Sequence, residues 1–557
     1  MSRLAARRGV FEILCAEGVR FIFGNPGSTE TPFLDALVEY PELEYVLGLH
    51  ESAVVAMADG YARATGRPAV VSIHAAPGTA NALSSLYNAL RDRTPMVVMA
   101  GQQPQRVLVQ DPPLAGDTVA MARPVVKWSR ELSNAAELPV VLRRAFSIAR
   151  FPPRGPVFLS LPKDVLEGEI EFSPEGYRPS VDRLVTAAPD TIERAAALLA
   201  RAEKPLILAG PGLSFREAWR PLAEVAEYLG APIYASPVGF PARHPQVCGV
   251  LGWDLHTLRK PLADVDLVLI AGYRMVVNDP LNPLISSGVS VVHLDDDPGE
   301  IDKNLSADVG VVGELSSALS SLRESLKGQL KGRESRYLER KEKTLASAAR
   351  ARRDAESALQ ARWDKAPIAP ARAIAALDKI LPDHTIVVDE AVRASPYVKQ
   401  YWSLAGPGRY FYYDGGSLGW GIGMAVGAQM AWPDKRVVAI VGDGAALFGI
   451  HALWTAARRK LRVIVIILDN RSYGAVVAAL VEYKGEAFKR GIYPGCDMEG
   501  IDFVALASGF GVPARSVARP EELEAALQWA LSAEGPVVVH VRTDPSDLGP
   551  GHPGRPN

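Results

Sequence analysis

Short aliphatic and β-branched runs alternate with helical segments along almost the whole chain, and this alternation limits the possible folds more than any other feature. Continuous apolar strands that are each followed by a helix are typical of parallel sheets covered on both faces. Clear examples lie at residues 20–23, 69–73, 96–99, 156–160, 205–209, 267–271, 289–294, 436–441 and 463–468. We therefore predict an α/β protein with three doubly wound parallel-sheet domains.

The length of 557 residues is too great for one hydrophobic core. A polar, proline-containing stretch at residues 173–189 is typical of a linker, and a charge-rich stretch follows residue 325. The predicted units are domains at residues 1–172, 190–325 and 366–545, with a helical connector at 326–365. Three units of similar size are compatible with an ancient triplication, although no short-period repeat is present.

The charge and the cysteine content exclude several classes of function. A net charge of −2 gives no field that would attract nucleic acid or an anionic membrane. No apolar run approaches the roughly 20 residues of a membrane span, and the amphipathic segment 10–19 makes a poor signal peptide. Three widely separated cysteines, Cys15, Cys248 and Cys496, predict no disulfide framework. We expect a cytoplasmic enzyme without nucleic-acid or membrane partners.

The strongest local motif is an apolar strand that ends in Gly442-Asp443-Gly444. Glycines allow a phosphate to approach the backbone closely, and the aspartate offers a hard oxygen to Mg²⁺. A second buried strand ends in Asp469-Asn470, and Asn470 follows Asp443 by 27 residues, enough for one helix and a return strand. The Asn470 side chain and the Ser472 carbonyl are then candidates to complete a magnesium half-shell with Asp443.

Alone, Gly-Asp-Gly is typical of a tight turn, but together with the asparagine it closely resembles the signature of thiamine-diphosphate enzymes. A matching acid, Glu51, lies where a strand runs into a helix near the N-terminus. Thiamine chemistry needs a carboxylic acid at the aminopyrimidine, and Glu51 is the candidate. The alternative is an ordinary helix N-terminal acid favoured by the helix dipole.

The chain resembles the benzoylformate decarboxylase branch of this family, which also contains acetolactate synthase, pyruvate decarboxylase and benzaldehyde lyase. The resemblance covers nearly the whole sequence and is dense at residues 23–28, 58–62, 100–103, 123–128 and 453–457. It implies pyrimidine-binding, central and diphosphate-binding domains, in that order. It also implies thiamine diphosphate, Mg²⁺, and a dimer or tetramer in which each site joins Glu51 of one subunit to Asp443 of another.

The resemblance also assigns individual residues. The Gly416 carbonyl would bind the aminopyrimidine amine, and Leu418 would support the bent cofactor. Ser28 would orient the substrate and His74 would act as acid and base, since histidine transfers protons in both directions near neutral pH. As bare sequence features, Ser28 is more typical of a helix N-cap, and His74 of a strand-end residue with a satisfied hydrogen bond. The remaining cofactor contacts are predicted at Asn25, Pro26, Gly27, Glu390, Gly442, Gly444, Ala445 and Tyr473.

The sequence departs from the decarboxylase at the substrate. Residues 272–279 have no histidine where that enzyme has its second one, and Ala479 stands where it has an aromatic residue. We predict non-oxidative decarboxylation of a benzoylformate-like 2-keto acid to an aldehyde, with carboligation of the acetolactate synthase or benzaldehyde lyase type as the alternative.

Three further possibilities stay open or weak. A flavin or nucleotide near residues 208–212 is suggested only by a lone Gly-Pro-Gly. A non-catalytic protein that retains the fold is disfavoured by the intact set of Glu51, Asp443 and Asn470. An NAD-linked dehydrogenase lacks its Gly-x-Gly-x-x-Gly motif in the first unit.

Overall fold

The computed structural model describes residues 2–181, 183–252, 256–274, 281–330, 332, 334–403 and 405–550. Within these residues the strands form three six-stranded sheets and one two-stranded pair. Neighbouring strands in all three large sheets run parallel. The prediction of three parallel-sheet α/β domains is confirmed.

The first sheet has the strand order β3-β2-β4-β5-β7-β6. Its domain contains β1 (Ser2–Ala5), α1 (Ala6–Ala16), β2 (Phe21–Gly24), α2 (Thr31–Leu37), β3 (Glu44–Leu47), α3 (Glu51–Thr65), β4 (Ala69–Ile73), α4 (Ala75–Arg91), β5 (Met96–Gln102), α5 (Gln105–Leu108), α6 (Thr118–Ala122), β6 (Trp128–Glu131), α7 (Leu138–Arg150), β7 (Pro156–Pro162), α8 (Lys163–Glu167) and β8 (Glu169–Phe172).

The central sheet has the order β11-β10-β9-β12-β13-β14. Its elements, followed by the long connector helix, are α9 (Pro189–Arg201), β9 (Pro205–Ala209), α10 (Trp219–Leu229), β10 (Ile233–Ala235), β11 (Val247–Val250), α11 (His256–Leu262), β12 (Leu267–Ala271), β13 (Ser290–Asp295), β14 (Val309–Val312), α12 (Leu315–Gln329) and α13 (Glu334–Gln360).

The third sheet has the order β16-β15-β17-β18-β20-β19. Its domain contains α14 (Pro370–Ile380), β15 (Ile386–Glu390), α15 (Ser395–Tyr401), β16 (Tyr410–Phe411), α16 (Trp420–Ala431), β17 (Val437–Gly442), α17 (Asp443–Gly449), α18 (Ala452–Arg458), β18 (Val463–Asp469), α19 (Gly474–Tyr483), α20 (Glu486–Arg490), α21 (Phe503–Gly509), β19 (Ala514–Val517), α22 (Pro520–Ser532) and β20 (Val537–Arg542). Short 3₁₀ turns lie at Ser28–Glu30, Arg123–Val125, Ala135–Glu137, Pro174–Gly176, Pro211–Glu217 and Val392–Ala394.

The first and third sheets share one strand order, and each has a point where the direction of winding reverses. This point lies between β2 and β4 in the first sheet and between β15 and β17 in the third. Open α/β sheets bind ligands outside the carboxyl ends of the strands at such points. We therefore expect a functional site at the loops that follow these four strands.

Helix α3 packs along α16, which joins the first domain to the third. A Cβ on Gly60 would lie 2.1 Å from the Met424 carbonyl oxygen, and one on Gly427 would lie 1.8 Å from the Met57 carbonyl oxygen. The buried Asp59 carboxylate accepts hydrogen bonds from the Trp420 indole and, at 2.6 Å, from the Thr94 hydroxyl. One hydrophobic core runs continuously through both domains.

The N-terminal residues differ from the sequence expectation. The amphipathic segment 10–19 lies largely within α1, which begins earlier, at Ala6. Residues Ser2–Ala5 form β1, which pairs antiparallel with β8 and places Ser2 opposite Phe172. The pairing closes the domain on itself. It was missed because a four-residue edge strand with one arginine has no apolar alternation to identify it.

Candidate active site

The predicted metal ligands meet where β17 and β18 end side by side, with Gly442 paired to Leu468. The two oxygens of Asp443 accept the N–H groups of Gly444 at 2.8 Å and Ser472 at 3.3 Å. The Ser472 N–H also lies 3.0 Å from Asn470 Oδ1. Side-chain oxygens of Asp443 and Asn470 thus accept from the same N–H group and lie close together, and oxygens of these types are ligands that Mg²⁺ prefers.

A cavity of about 140 Å³ opens at these ligands. Eight predicted cofactor or metal residues line it, namely Leu418, Gly442, Asp443, Gly444, Ala445, Asn470, Ser472 and Tyr473. A Cβ on Gly444 would lie 2.7 Å from the Tyr473 ring, so a larger residue at this position would displace that ring. The donor set of carboxylate, amide and carbonyl oxygens suits Mg²⁺, and the glycine-lined wall suits a diphosphate.

The electrostatics of Asp443 also suit a bound cation. Burial raises the pKa of Asp443 to about 7, and the neighbouring carboxylate of Asp469 acts in the same direction. A cation placed beside Asp443 reverses this effect because it favours the charged form.

The loop before α16 is held from the first domain. The Asn88 side chain donates to the Ser417 carbonyl at 2.8 Å and accepts the Ser417 N–H at 3.0 Å. Gly416 has a φ of 79°, which favours glycine. Leu418 reaches the cavity, whereas Gly416 is not among the described residues that line it.

Glu390, a predicted cofactor contact, ends β15, and its carboxylate is hydrogen-bonded to the backbone before α16. Its two oxygens accept the backbone N–H groups of Gly419, Trp420 and Gly421 at 2.7–3.0 Å. Burial raises the pKa of Glu390 to about 8 despite these hydrogen bonds. Its contacts make Glu390 the residue that fixes the start of α16 and the Leu418 loop.

Glu51 lies at the first residue of α3 and is 5% exposed. Its carboxylate accepts hydrogen bonds from the side-chain amides of Asn25 at 3.1 Å and Asn81 at 3.0 Å. A Cβ on Gly78 would lie 3.0 Å from Glu51 Oε1. Glu51 is therefore a pre-positioned acid with fixed neighbours rather than a solvated helix-terminal charge.

His74 follows β4 and belongs to a buried polar cluster. Its Nδ1 lies 2.9 Å from Glu30 Oε2 and 3.1 Å from the Thr29 hydroxyl, which donates to Glu30 at 2.6 Å. A carboxylate only accepts hydrogen bonds, so Nδ1 carries the proton and Nε2 is left with a lone pair. A Cβ on Gly101 of β5 would lie 1.9 Å from Glu30 Oε1, so this glycine makes room for the carboxylate.

The loop after β2 presents the other predicted residues of this half. The Asn25 N–H donates to the Ser72 carbonyl of β4 at 3.2 Å, which joins the two strand ends. Pro26 and Ser28 are exposed, and Gly27 contacts the His74 ring. The structure thus brings Asn25, Pro26, Gly27, Ser28, Glu51 and His74 to one edge of the first sheet.

The two predicted halves occupy different parts of one chain. The cavity at Asp443 is lined only by third-domain residues among those that the structure describes. The described hydrogen bonds of the Glu51 carboxylate all come from the first domain. Neither half contains both the acid and the metal ligands.

Three residues of this region escaped the sequence reasoning: Glu30, Asn81 and Asn88. Asn81 had a weak signal, since it lies seven positions after His74 and so on a similar face of α4. Glu30 had none, because its role depends on Gly101 from a distant strand. Asn88 acts across the boundary between domains, which no local pattern reveals.

A second, larger cavity of about 620 Å³ lies between the three domains. It adjoins Gly212 and Gly272, which follow the reversal-point strands β9 and β12 of the central sheet. Arg93 extends into it from the first domain and binds Asp295 at 2.8 Å and Asp296 at 2.5 Å. Of the segment at 272–279, residues 275–279 lie outside the described residues.

Two further features are absent from the described residues. These residues contain no group of three or more histidine, cysteine, aspartate or glutamate side chains arranged to hold a metal. They also contain no helix long and apolar enough to cross a bilayer.

Comparisons with known proteins agree with this geometry. Models for the N-terminal thiamine pyrophosphate binding domain, the central domain and the C-terminal thiamine pyrophosphate binding domain of thiamine pyrophosphate enzymes match residues 5–121, 192–322 and 393–541. Benzoylformate decarboxylase from Pseudomonas aeruginosa is 35% identical over 96% of this chain and 98% of its own. A probable acetolactate synthase large subunit from Methanocaldococcus jannaschii is 30% identical over 97% of this chain and 92% of its own.

A solved structure gives the same result. The thiamine diphosphate-dependent 4-hydroxybenzoylformate decarboxylase of Rhodococcus jostii superposes with a TM-score of 0.84 at 33% identity, covering 97% of this chain and 99% of that one. The resemblance inferred from the sequence is thereby confirmed over its whole length. The chain belongs to the thiamine pyrophosphate enzymes and is a thiamine-diphosphate-dependent lyase related to benzoylformate decarboxylase.

Proposed function

We propose that this enzyme decarboxylates a 2-keto acid of the benzoylformate class and releases the corresponding aldehyde. The observation that carries the proposal is the Glu30–His74 pair, which places an oriented imidazole at the same sheet edge as Glu51. The relatives named for benzoylformate and 4-hydroxybenzoylformate decarboxylation support the same substrate class.

In this proposal Asp443, Asn470 and the Ser472 carbonyl would hold Mg²⁺. Gly442, Gly444, Ala445 and Tyr473 line the same cavity and would bind the diphosphate, and Leu418 would support the thiamine rings. When bound, the cofactor supplies a carbon nucleophile and a cationic ring that accepts the electrons released with carbon dioxide.

The protein's own residues then move protons and orient the acid. Glu51 exchanges a proton with the aminopyrimidine, and Asn25 and Asn81 hold its carboxylate in place. Ser28 orients the substrate carboxylate. His74, with its Nδ1 proton directed to Glu30, gives and takes a proton through Nε2 at the substrate oxygen.

We further propose that each active site needs two copies of the chain. Large apolar side chains are exposed beside both halves: Leu49 and Tyr87 in the first domain, and Phe448 and Val476 in the third, at 42–52% exposure. In this proposal these four side chains belong to the surface at which two chains meet. A dimer, alone or paired into a tetramer, would cover these side chains and join Glu51 of one subunit to Asp443 of the other.

Mixed dimers test the shared site. The Glu51→Gln and Asp443→Asn proteins should each be inactive on their own. Co-expression of the two chains gives mixed dimers, and these should be active because one of their two sites contains both Glu51 and Asp443. The measurement is turnover of benzoylformate by purified mixed dimers. An inactive mixture with normal dimer content would show that each site lies within one chain.

The same geometry leaves carboligation as a second candidate, supported by the similarity to the probable acetolactate synthase. Product analysis with benzoylformate or pyruvate, each with and without an aldehyde acceptor, separates the two. Benzaldehyde from benzoylformate supports decarboxylation, whereas acetolactate from pyruvate supports the synthase. The three cysteines are free thiols in the structure, which fits the proposed cytoplasmic location.

A further inference from the structure

A buried carboxylate that the proposed chemistry does not use lies directly behind the magnesium half-shell. Asp469 is the last residue of β18, precedes Asn470 and is 5% exposed. Burying a carboxylate is costly unless its neighbours compensate for the lost solvation.

The neighbours of Asp469 form a chain of hydrogen bonds across three adjacent strands. Asp469 Oδ2 lies 2.8 Å from Nε2 of His540 on β20. His540 Nδ1 lies 3.0 Å from the hydroxyl of Ser516 on β19. Because the carboxylate only accepts, Nε2 carries the proton and the serine hydroxyl donates to Nδ1 in the neutral ring.

Strand register fixes this arrangement. His540 pairs with Ile467 on β18 and with Ser516 on β19, and it is 4% exposed. The Phe503 ring packs against it at a centroid distance of 5.4 Å. The imidazole is therefore held in one orientation, which in turn fixes Asp469.

The other oxygen of Asp469 shapes the metal loop itself. Oδ1 accepts the N–H of Arg471 at 2.8 Å, and this residue has a φ of 55°. The next side chain, Asn470, repeats the pattern toward Ser472. Two consecutive side-chain turns thus present the Asn470 oxygen and the Ser472 carbonyl together.

We propose that Asp469, held by His540 and Ser516, is a second carboxylate of the magnesium site that lies outside the coordination shell and raises its affinity for the divalent cation. This inference rests on the proposed metal ligands and is independent of the keto acid. His540 and Ser516 are positioning residues that act through Asp469. Outer partners of metal ligands commonly contribute 10- to 100-fold to affinity, so about tenfold is expected here.

The test measures Mg²⁺ binding directly on the full chain, after removal of metal and with thiamine diphosphate held saturating. Quenching of tryptophan fluorescence or calorimetry gives the apparent Kd without any substrate. Asp469→Asn keeps the shape and the turn and removes only the charge. We expect it to raise the Kd for Mg²⁺ about tenfold, in line with other outer partners of metal ligands.

His540→Gln should weaken Mg²⁺ binding in the same direction. The double variant should bind Mg²⁺ no more weakly than Asp469→Asn alone, since both substitutions remove the same effect. The matched control is His293→Gln, because His293 is a histidine of the central sheet with 3% exposure and no contact with this loop. This control should leave the Kd unchanged.

An unchanged Mg²⁺ affinity in a folded Asp469→Asn protein overturns the inference. If that variant does not fold, the comparison of His540→Gln with His293→Gln decides: equal affinities overturn the inference, and a selective loss supports it. Asp443→Asn separates a failure of the proposed metal site from a failure of the role proposed for Asp469. If Asp443→Asn also binds Mg²⁺ normally, the proposed metal site is wrong; if it does not, only the role of Asp469 is in question.

Discussion

Glu30, the buried acid beside His74, is expected to affect catalysis without contacting the substrate. Glu30 accepts from the Gly27 N–H at 2.8 Å, from Thr29 and from His74, so it joins the Ser28 loop to the proposed acid–base residue. Orientation of an imidazole by a carboxylate fixes the tautomer and the direction of the reacting nitrogen. A loss of Glu30 should therefore affect catalysis more than binding.

Glu30→Gln should lower kcat by about 10- to 100-fold and leave KM and cofactor affinity little changed, because acid–base catalysis by a positioned side chain contributes about that much or more. Steady-state kinetics in the wild-type and His74→Ala backgrounds provide the check. In the second background the substitution should add nothing, since both changes remove the same function. An equal loss in both backgrounds would contradict the role assigned to Glu30.

The buried Glu390 predicts how the stability of the cofactor-free enzyme depends on pH. Its pKa is raised from 4.5 to about 8 by burial, so the folded protein holds a proton that the unfolded chain has released. Stability from this group is present below about pH 4.5 and is lost as pH rises to about 8. Urea titrations between pH 6 and 8 should show falling stability, with a smaller slope in Glu390→Gln. An equal slope would exclude Glu390 as the source.

How far a residue could be predicted depended on whether its partners lie in one motif. Asp443, Asn470 and Ser472 were predictable because two neighbouring strands deliver them within 30 positions. Glu51 was predictable from its strand–helix junction together with the family resemblance. Glu30 and His540 were not, because their partners are fixed by strand pairing and by a glycine far away in sequence. Glu390 was expected at the cofactor, and its carboxylate instead binds three backbone N–H groups.

At the scale of elements, the close packing of α3 on α16 links the helix that begins at Glu51 to the loop that carries Leu418. The two glycines at this contact leave no room for a methyl group against the facing backbone. The nine strands named from the sequence all coincide with observed strands, because each is a buried apolar run. More exposed strands such as β11 and β19 were not predicted. This helix pair was not predicted, since it depends on small residues whose role appears only in the packed structure.

Gly427→Ala should destabilise the protein by about 1–3 kcal/mol, because the new Cβ would overlap the Met57 carbonyl and force the helices apart. The measurement is the free energy of unfolding in urea. The matched control is Gly328→Ala, a helical glycine in α12 with open space around it, which should be neutral or slightly stabilising. Equal effects of the two substitutions would contradict the packing argument.

At the scale of the whole molecule, the central domain is attached to the first through Arg93. This side chain binds three consecutive carboxylates, Asp295, Asp296 and Asp297, and it is 14% exposed. Burial raises the pKa of Asp296, and the positive charge of Arg93 acts in the opposite direction. The contact lies at the wall of the cavity shared by the three domains.

Arg93→Ala should destabilise the protein by about 3–5 kcal/mol, since it leaves buried carboxylates without their cation. Cleavage by a protease in the linker at 173–189 should become faster as the central domain loosens. Arg93→Ala combined with Asp296→Asn should recover part of the stability. Calorimetry and limited proteolysis of the three proteins provide the measurements, and no recovery in the double variant would argue against charge as the cause.

The first and third domains repeat one strand order. Within a single chain, the residues at the reversal point of the first sheet are separate from those at the reversal point of the third. In the proposed dimer, each polypeptide then contributes the acid to one reaction centre and the metal ligands to the other. A subunit altered at either Glu51 or Asp443 inactivates one of the two active sites when it pairs with a normal subunit. A subunit altered at both residues inactivates both sites. An allele for the doubly altered subunit would therefore be dominant over a normal copy in the same cell, and an allele with a single alteration would not.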